Sequence, residues 1–475
     1  MKIGLISLGC PKNLVDSEVM LGLAAREGHQ LTRDAAEADV LVVNTCAFID
    51  GAKRESIDTI LEMAEHKKTG RCTKLVVTGC MAERYRDELL EQIPEIDAVL
   101  GTGQVPDIVR VLGTGAPTAF TGATATIPLL RADGTAVGQT GPVPDARTAS
   151  GLPTYLYDAD TPRLLATPRH YAYVKIAEGC DYSCGFCIIP PLRGHYRSRP
   201  VASIVQEAQQ LAAGGVRELL LISQDTTFYG IDRGERRALV TLLRALDQVE
   251  GLEWIRLLYL YPTTITDAVL DAIADSRKVC RYIDLPLQHA SDAVLKRMRR
   301  PGTRASYLKL LEKIRTRLPG VTLRTTFIVG YPGETDEDFE ALQAFVREVQ
   351  FDHVGVFTYS HEEGTPAFAL TDDVPAAVKT RRQRQLMKLQ QGIVARAQKR
   401  RIGDRIRLVV DGPAAEHELV LRARTVGQAP DIDPQVYLTE CDPSEFSTGQ
   451  FIEAEITGSQ GYDLLARPLS VPVPV

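Results

Sequence analysis

Three short apolar runs near the amino terminus each end in a cysteine. KIGLISLG leads into Cys10, ADVLVVNT into Cys46 and TKLVVTG into Cys80. Amphipathic segments follow each run, over 14–27, 50–66 and 82–92. Strand then helix, three times over, argues for a parallel, doubly wound sheet across residues 1–112. Open sheets of this kind bind ligands beyond the carboxyl ends of their strands. Thiols far apart in sequence can thus converge on one edge. Buried core thiols are the competing reading, and repetition at the same structural position weighs against it. Cys72 precedes its strand and falls at the opposite edge.

A second group, Cys180-x3-Cys184-x2-Cys187, sits in GCDYSCGFCIIPPLRG, just after the strand-like run HYAYVKIAEG. A 4Fe-4S cluster normally takes four thiolates. Three ligands this close leave one iron without a protein ligand. An open metal position accepts a substrate or cofactor, as catalytic zinc sites keep one position free. A zinc knuckle or three unrelated thiols are the alternatives, but zinc sites usually pair cysteines two residues apart, twice over.

The remainder divides by composition. Residues 113–167 contain 7 Gly, 6 Pro and 11 Thr and lose periodicity, which reads as a linker with weakly strand-like pieces. Residues 168–374 carry six strand-like runs separated by helical segments: HYAYVKIAEG, RELLLISQD, EWIRLLYLYP, RYIDLPLQH, VTLRTTFIVG and HVGVFTYS. Repeated βα units predict a partial TIM-like (βα)6 barrel with its chemistry at the carboxyl ends of the strands. The second cysteine group follows the first of these strands. Residues 375–401 read as a connecting helix with nine Lys/Arg and no acid. Short β runs from 402 to 475 read as a small β-barrel holding 5 Arg against 12 Asp/Glu. No run of about 18 apolar residues exists to cross a membrane. Nine cysteines without a signal-peptide pattern point to the reducing cytosol, where clustered cysteines mean metal or catalysis.

Cys-x3-Cys-x2-Cys with Phe186 before its last cysteine resembles the radical S-adenosylmethionine (SAM) signature. Both triads together with a carboxyl-terminal barrel resemble the methylthiotransferase family, in the order N-terminal cluster domain, radical SAM partial barrel and TRAM domain. SLGCPKNLVDSE is similar to the branch of that family that modifies a ribosomal protein. VVNTCAFI, VTGCMAERY, SQDTTFYG, LPLQH and FIVGYPGETDEDF are similar to further family blocks. The resemblance implies two 4Fe-4S clusters, one on Cys10, Cys46 and Cys80 and one on Cys180, Cys184 and Cys187, the second chelating SAM. It implies a SAM pocket near Phe186, Gln224, Asp225 and the turn from Gly330 to Glu334. A strand-end cap is an equal reading for Gln224 and Asp225, as is simple turn chemistry for the glycines. His289 reads equally as a pocket residue or a hydrogen-bonded core histidine.

The activity implied is transfer of a methylthio group to the β-carbon of an aspartate in small ribosomal subunit protein twelve, free or within the ribosome. A flavodoxin or ferredoxin would supply electrons. Methylthiolation of a tRNA adenosine is the alternative enzyme, and a non-catalytic iron-sulfur or RNA-binding protein is the alternative class. The acidic terminal barrel favours a basic protein partner over tRNA, because nucleic-acid binding draws on Lys/Arg at the phosphates. The basic stretch 379–401 is the counter-evidence, read here as a solvated helix face against acidic neighbours.

Overall fold

The computed structural model describes residues 1–113, 151–414 and 420–469, with the backbone of 129–130 and 136–137. The chain forms two compact units. The first comprises Met1–Ala166, Glu178–Tyr182 and Ile188–Arg197; the second comprises Thr167–Ala177, Ser183–Cys187 and Ser198–Val475.

The first unit is built on five parallel strands: β1 (Lys2–Ser7), β2 (Gln30–Thr32), β3 (Val40–Thr45), β4 (Lys74–Gly79) and β5 (Ala98–Leu100). Their order is β2-β1-β3-β4-β5. All six residues of β3 are buried, as a strand covered by helices on both faces requires. Helix α1 (Pro11–Arg26) follows β1, α2 (Asp50–Thr69) follows β3, α3 (Cys80–Arg84) and α4 (Arg86–Gln92) follow β4, and α5 (Ile108–Gly113) follows β5. The sequence reading found three of the five strands. The short edge strands β2 and β5 are three residues each, too brief for alternation to show. The single helix expected over 82–92 breaks at Tyr85, whose φ of −130° and ψ of 39° are not helical.

Residues 114–128, 131–135 and 138–150 of the expected linker lie outside the described residues. The rest of it is no mere tether. Residues 151–166 run irregularly over α1, where a Cβ on Gly22 would come within 2.5 Å of Pro162. Arg163 there meets the fully buried Glu18 at 2.5 Å. Gly, Pro and Thr conceal such a strap from periodicity, since its contacts are made to another element rather than along itself. The segment 188–197, containing α6 (Ile189–Arg193), also belongs to this unit. Its Leu192 lies in the same core as Val43, Val77 and Ile60.

The second unit carries six parallel strands: β6 (Tyr171–Lys175), β7 (Glu218–Ile222), β8 (Trp254–Leu257), β9 (Tyr282–Asp284), β10 (Thr322–Val329) and β11 (His353–Thr358). They form two three-stranded sheets, β8-β7-β6 and β9-β10-β11. A parallel bridge between Ile255 and Val279 joins the two. The helices between them are α7 (Val201–Ala213), α8 (Ala238–Asp247), α9 (Asp267–Asp275), α10 (Asp292–Arg297), α11 (Arg304–Arg317) and α12 (Asp336–Val349). The expected partial barrel is therefore present. Helix α13 (Ala376–Arg400) leads to a closed barrel of five strands: β12 (Arg405–Pro413), β13 (Leu421–Thr425), β14 (Val436–Leu438), β15 (Phe451–Gln460) and β16 (Asp463–Pro468).

This small barrel meets the six-stranded one at the amino ends of its strands. Glu218 at the start of β7 takes Arg256 at 2.9 Å and Arg424 at 2.8 Å, all three buried. Arg424 also pairs with Asp411 at 2.7 Å, and Asp411 with His170 at 2.7 Å. Nearby, Asp433 accepts from Tyr282 at 2.6 Å and pairs with Arg324 at 3.2 Å. Removing one member of such a buried network strands the others, at about 3–5 kcal/mol. Arg424→Ala is therefore expected to lower the melting temperature of the second unit sharply in calorimetry. A variant that melts with the wild type would show the network to be slack.

Candidate functional site

The three strand-end cysteines of the first unit are brought together by the sheet. Strands β1, β3 and β4 are adjacent and parallel, so their carboxyl ends share one edge. The β2-β1-β3 reversal also lies there, the usual ligand position in such sheets. Gly9 is held at φ +86°, and a Cβ on it would lie 2.7 Å from the Cβ of Cys46. Only glycine lets the chain entering Cys10 pass this close to Cys46. Gly79 plays the same part before Cys80: φ is +94°, and a Cβ would strike Asn44 Oδ1 at 2.3 Å. The Cys46 thiol is pushed up to about 12, first by burial and then by the thiol groups of Cys80 and Cys10.

Asn13 and Arg193 build the floor beneath it. Asn13 Nδ2 donates to Leu8 O at 3.0 Å and Thr45 O at 2.9 Å, tying the exits of β1 and β3. Arg193 is buried and donates through Nη2 to Asn13 Oδ1 and, at 3.6 Å, to Cys80 Sγ. Its Nη1 meets Asp16 at 3.2 Å and Glu178 at 3.0 Å. Burial raises the Cys80 thiol, and the Arg193 charge works against that rise. A donor beside sulfur favours the thiolate, the form that binds metal. Sequence reading missed Arg193. Its only mark is its place six residues after Cys187, and nothing local links it to Cys80.

The second cysteine group lies in a loop that the two units share: Cys180 goes with the first, Cys184 and Cys187 with the second. Cys180 N donates to Gly194 O at 3.0 Å. Gly179 before it has φ +90° and no room for a Cβ, which would lie 2.1 Å from His195 O. Cys184 and Cys187 close a turn in which Cys187 N donates to Cys184 O at 3.1 Å. Arg300, also missed, donates to Cys184 Sγ at 3.7 Å and lies 4.0 Å over the Tyr261 ring. Each triad therefore has one buried arginine against one of its sulfurs. Phe186 packs half-buried on Val294, Met298, Tyr331, Tyr359 and Ala367.

The other expected SAM-pocket residues sit at strand ends. Gln224 is half-buried just beyond β7. Asp225 is buried and caps the turn Thr226–Phe228, accepting from Thr227 N at 2.9 Å and Phe228 N at 3.2 Å. Gly330 and Gly333 follow β10 with φ +75° and +73°. Glu334 clamps that turn, accepting from Gly330 N at 2.5 Å and Tyr331 N at 3.1 Å and meeting Arg382 at 3.0 Å. Burial lifts its carboxyl to about 6 against the pull of Arg382. His289 is a core residue: Nδ1 accepts from Ser291 N at 2.9 Å, and burial lowers its pKa to about 3, leaving the ring neutral. Among the described residues no group of three His, Cys, Asp or Glu is arranged to hold a single metal ion. A cubane instead takes one thiolate on each of three irons, and three free thiols at one sheet edge supply that donor set.

Three family models match the chain: uncharacterized protein family UPF0004 over 2–101, the radical SAM superfamily over 174–346 and the TRAM domain over 402–469. A solved radical SAM methyltransferase, TsrM from Kitasatospora setae, has the same fold over 77% of this chain and 73% of its own, at a TM-score of 0.53 and 17% identity. The fold and the matched family models are those of a radical SAM enzyme with an added terminal barrel. Sequence likeness narrows the class. The ribosomal protein uS12 methylthiotransferase RimO of Koribacter versatilis is 48% identical over 98% of this chain and 96% of its own. Those of Symbiobacterium thermophilum and Trichlorobacter lovleyi are 48% and 45% identical, over 99% and 98% of this chain and 92% and 98% of their own. The chain belongs to the RimO family of radical SAM methylthiotransferases.

Arg193→Ala removes the cation facing Asp16 and Glu178, at an expected cost of about 3–5 kcal/mol. Arg193→Lys keeps the charge but not the fork that reaches four partners, so it should recover only part of the loss. Hydrogen exchange over β1, β3 and β4 reads the effect. Unchanged protection in the alanine variant would contradict the arrangement.

Proposed function

We propose that this chain adds a methylthio group to the β-carbon of an aspartate in ribosomal protein uS12. The observation that carries the reading is the thiol triad at one sheet edge, with Cys46 and Cys80 buried and Cys10 half-buried, in a chain nearly half identical over its full length to relatives bearing that name. Cys10, Cys46 and Cys80 would hold one 4Fe-4S cluster, and Cys180, Cys184 and Cys187 the other. When bound, these clusters supply reductive cleavage of SAM, on the second, and the sulfur to be methylated and inserted, on the first. Such chemistry is needed because a C–H bond at that carbon is too weakly acidic for a side-chain base.

The protein's own part is placement and exclusion of water. Burial of Cys46, Cys80, Cys180 and Cys184 keeps solvent from the sulfurs. Arg193 and Arg300 put a hydrogen-bond donor on one sulfur of each triad, a feature that moves cluster potentials. Phe186 and the turn after β10 would border the SAM pocket, with Asp225 and Glu334 holding the loops in shape. An electron donor such as a flavodoxin or ferredoxin is part of the proposal. Among the described residues no helix is long and apolar enough to cross a membrane.

Anaerobically reconstituted protein is expected to hold about eight irons, and the variant with Cys180, Cys184 and Cys187 all replaced by Ala about four. A wild-type content of only four would remove the two-cluster assignment. Cys184→Ala should abolish 5′-deoxyadenosine formation, whereas Cys46→Ala should keep it and lose sulfur insertion. Mass spectrometry of uS12 from a deletion strain tests the substrate: the protein should lack a gain of about 46 Da, one H replaced by SCH3, that the parent strain shows. A gain lost from tRNA instead would transfer the assignment to the tRNA-modifying branch.

A further inference from the structure

Helix α13 carries a strongly basic surface that the activity leaves unused. Between 375 and 401 there are nine Lys/Arg and no Asp or Glu, in a chain of formal net charge −6. The structure divides the nine. Lys379 is held by Asp372 at 2.7 Å, Arg382 by Glu334 at 3.0 Å and Asp336 at 2.8 Å, and Arg401 lies 3.7 Å from Asp404. Arg381 is exposed, 3.9 Å from Asp336. Arg384, Lys388, Arg396, Lys399 and Arg400 are exposed and make no ion pair among the described residues. The acidic neighbours expected from the sequence thus neutralise the buried face of the helix and its ends, not its outer face.

That outer face is a stripe. Steps of three, four and eight residues keep Arg381, Arg384, Lys388 and Arg396 on one side, and Arg381 to Arg400 spans about 28 Å at the helical rise. Like charges three and four residues apart weaken a helix. Other exposed helices in the chain relieve this. Helix α2 interleaves Asp50, Glu55, Asp58, Glu62 and Glu65 with its bases, and Lys313 and Arg317 of α11 both meet Asp267 at 2.9 Å. From Arg384 to Arg400 the outer face of α13 has no such relief among the described residues.

Its direction carries the argument further. The helix runs antiparallel to β11: Lys379 Nζ donates to Tyr359 O, Gln383 Nε2 to Val356 O and Gln390 Nε2 to Phe351 O. At its start, Lys379 fills the space beside Gly330, at the carboxyl end of β10. At its end, Gln398 Nε2 donates to Tyr462 O in the terminal barrel. The stripe therefore begins at the strand edge where barrel chemistry occurs and runs down the flank to the small barrel.

We propose that the outer face of α13 docks the phosphate backbone of RNA, so that the enzyme meets its substrate as part of a ribonucleoprotein. The proposal rests on the substrate reading above. A basic substrate protein would be repelled by this stripe, whereas the RNA to which a ribosomal protein is bound matches it in charge. RNA lying along α13 leads from the terminal barrel to the reaction edge.

The test uses full-length protein and a thirty-nucleotide mixed-sequence RNA hairpin in fluorescence anisotropy. About five phosphate contacts should weaken wild-type binding on the order of a hundredfold between about 50 and 200 mM salt. Arg384→Glu combined with Lys388→Glu and Arg396→Glu should bind at least about tenfold more weakly at the lower salt, with a shallower salt slope. That variant should cleave SAM and methylthiolate isolated uS12 as the wild type does, which separates this proposal from the substrate assignment. Absent hairpin binding at low salt, or a triple variant that binds like the wild type, would overturn it. Equal or tighter wild-type binding to polyglutamate would also overturn it, in favour of an acidic protein partner.

Discussion

A guanidinium taken out of water must be answered on several sides at once, and Arg193 is answered by Asn13, Asp16, Glu178 and the Cys80 sulfur. Isolated, such a burial would cost far more than a small domain has to spare. Shared among these partners, it ties the loop after the second cysteine group to the floor of the first triad. Asn13 extends the tie to the exits of β1 and β3. The residue sets Pro11-Lys12-Asn13 and PPLRG then have a physical reason to occur in one chain, because each supplies half of one buried contact.

The six-stranded barrel divides its labour between its two ends. At the amino ends, Glu218, Arg256, Arg424 and Asp411 form a charge network with the terminal barrel, and His170 is hydrogen-bonded to Asp411. At the carboxyl ends, Asp225 and Glu334 spend their carboxylates on backbone N–H groups and hold loops in place. Acidic residues at this edge therefore act as builders of loops. This explains why Glu334 is buried with Arg382 on one side and two amides on the other. Arginines do the corresponding work at sulfur, one for each triad.

Charge is segregated on this molecule rather than averaged. The terminal barrel is acidic by composition, and the outer face of α13 is basic without interruption. The acidic terminal barrel leads to the expectation of a protein partner, and the sequence reads the helix as a solvated face against acidic neighbours. Local charge modifies that view, since the acids near α13 are used up on Lys379, Arg382 and Arg401. A ribosomal substrate offers both a basic protein and an anionic RNA, and the two surfaces are complementary to one each.

The order of strands and helices, the three strand-end cysteines and the compact second triad were all legible in the sequence. Each depends on neighbours along the chain: apolar periodicity within a strand, a thiol at its end, a ligand spacing inside one loop. Strands β2 and β5 were not legible, because three residues show no period. Nor was the strap over α1, whose contact at Gly22 depends on a residue 140 positions away. Arg193 and Arg300 looked like any other arginines until folding set them against Cys80 and Cys184. The sequence leaves Asp225 open between pocket wall and cap, and its amide partners Thr227 and Phe228 come into view only in the fold. Local pattern determined which elements form and where the thiols stand on them. Only the tertiary structure decided which buried charges face those thiols, because a charge leaves water only where partners from distant segments meet it.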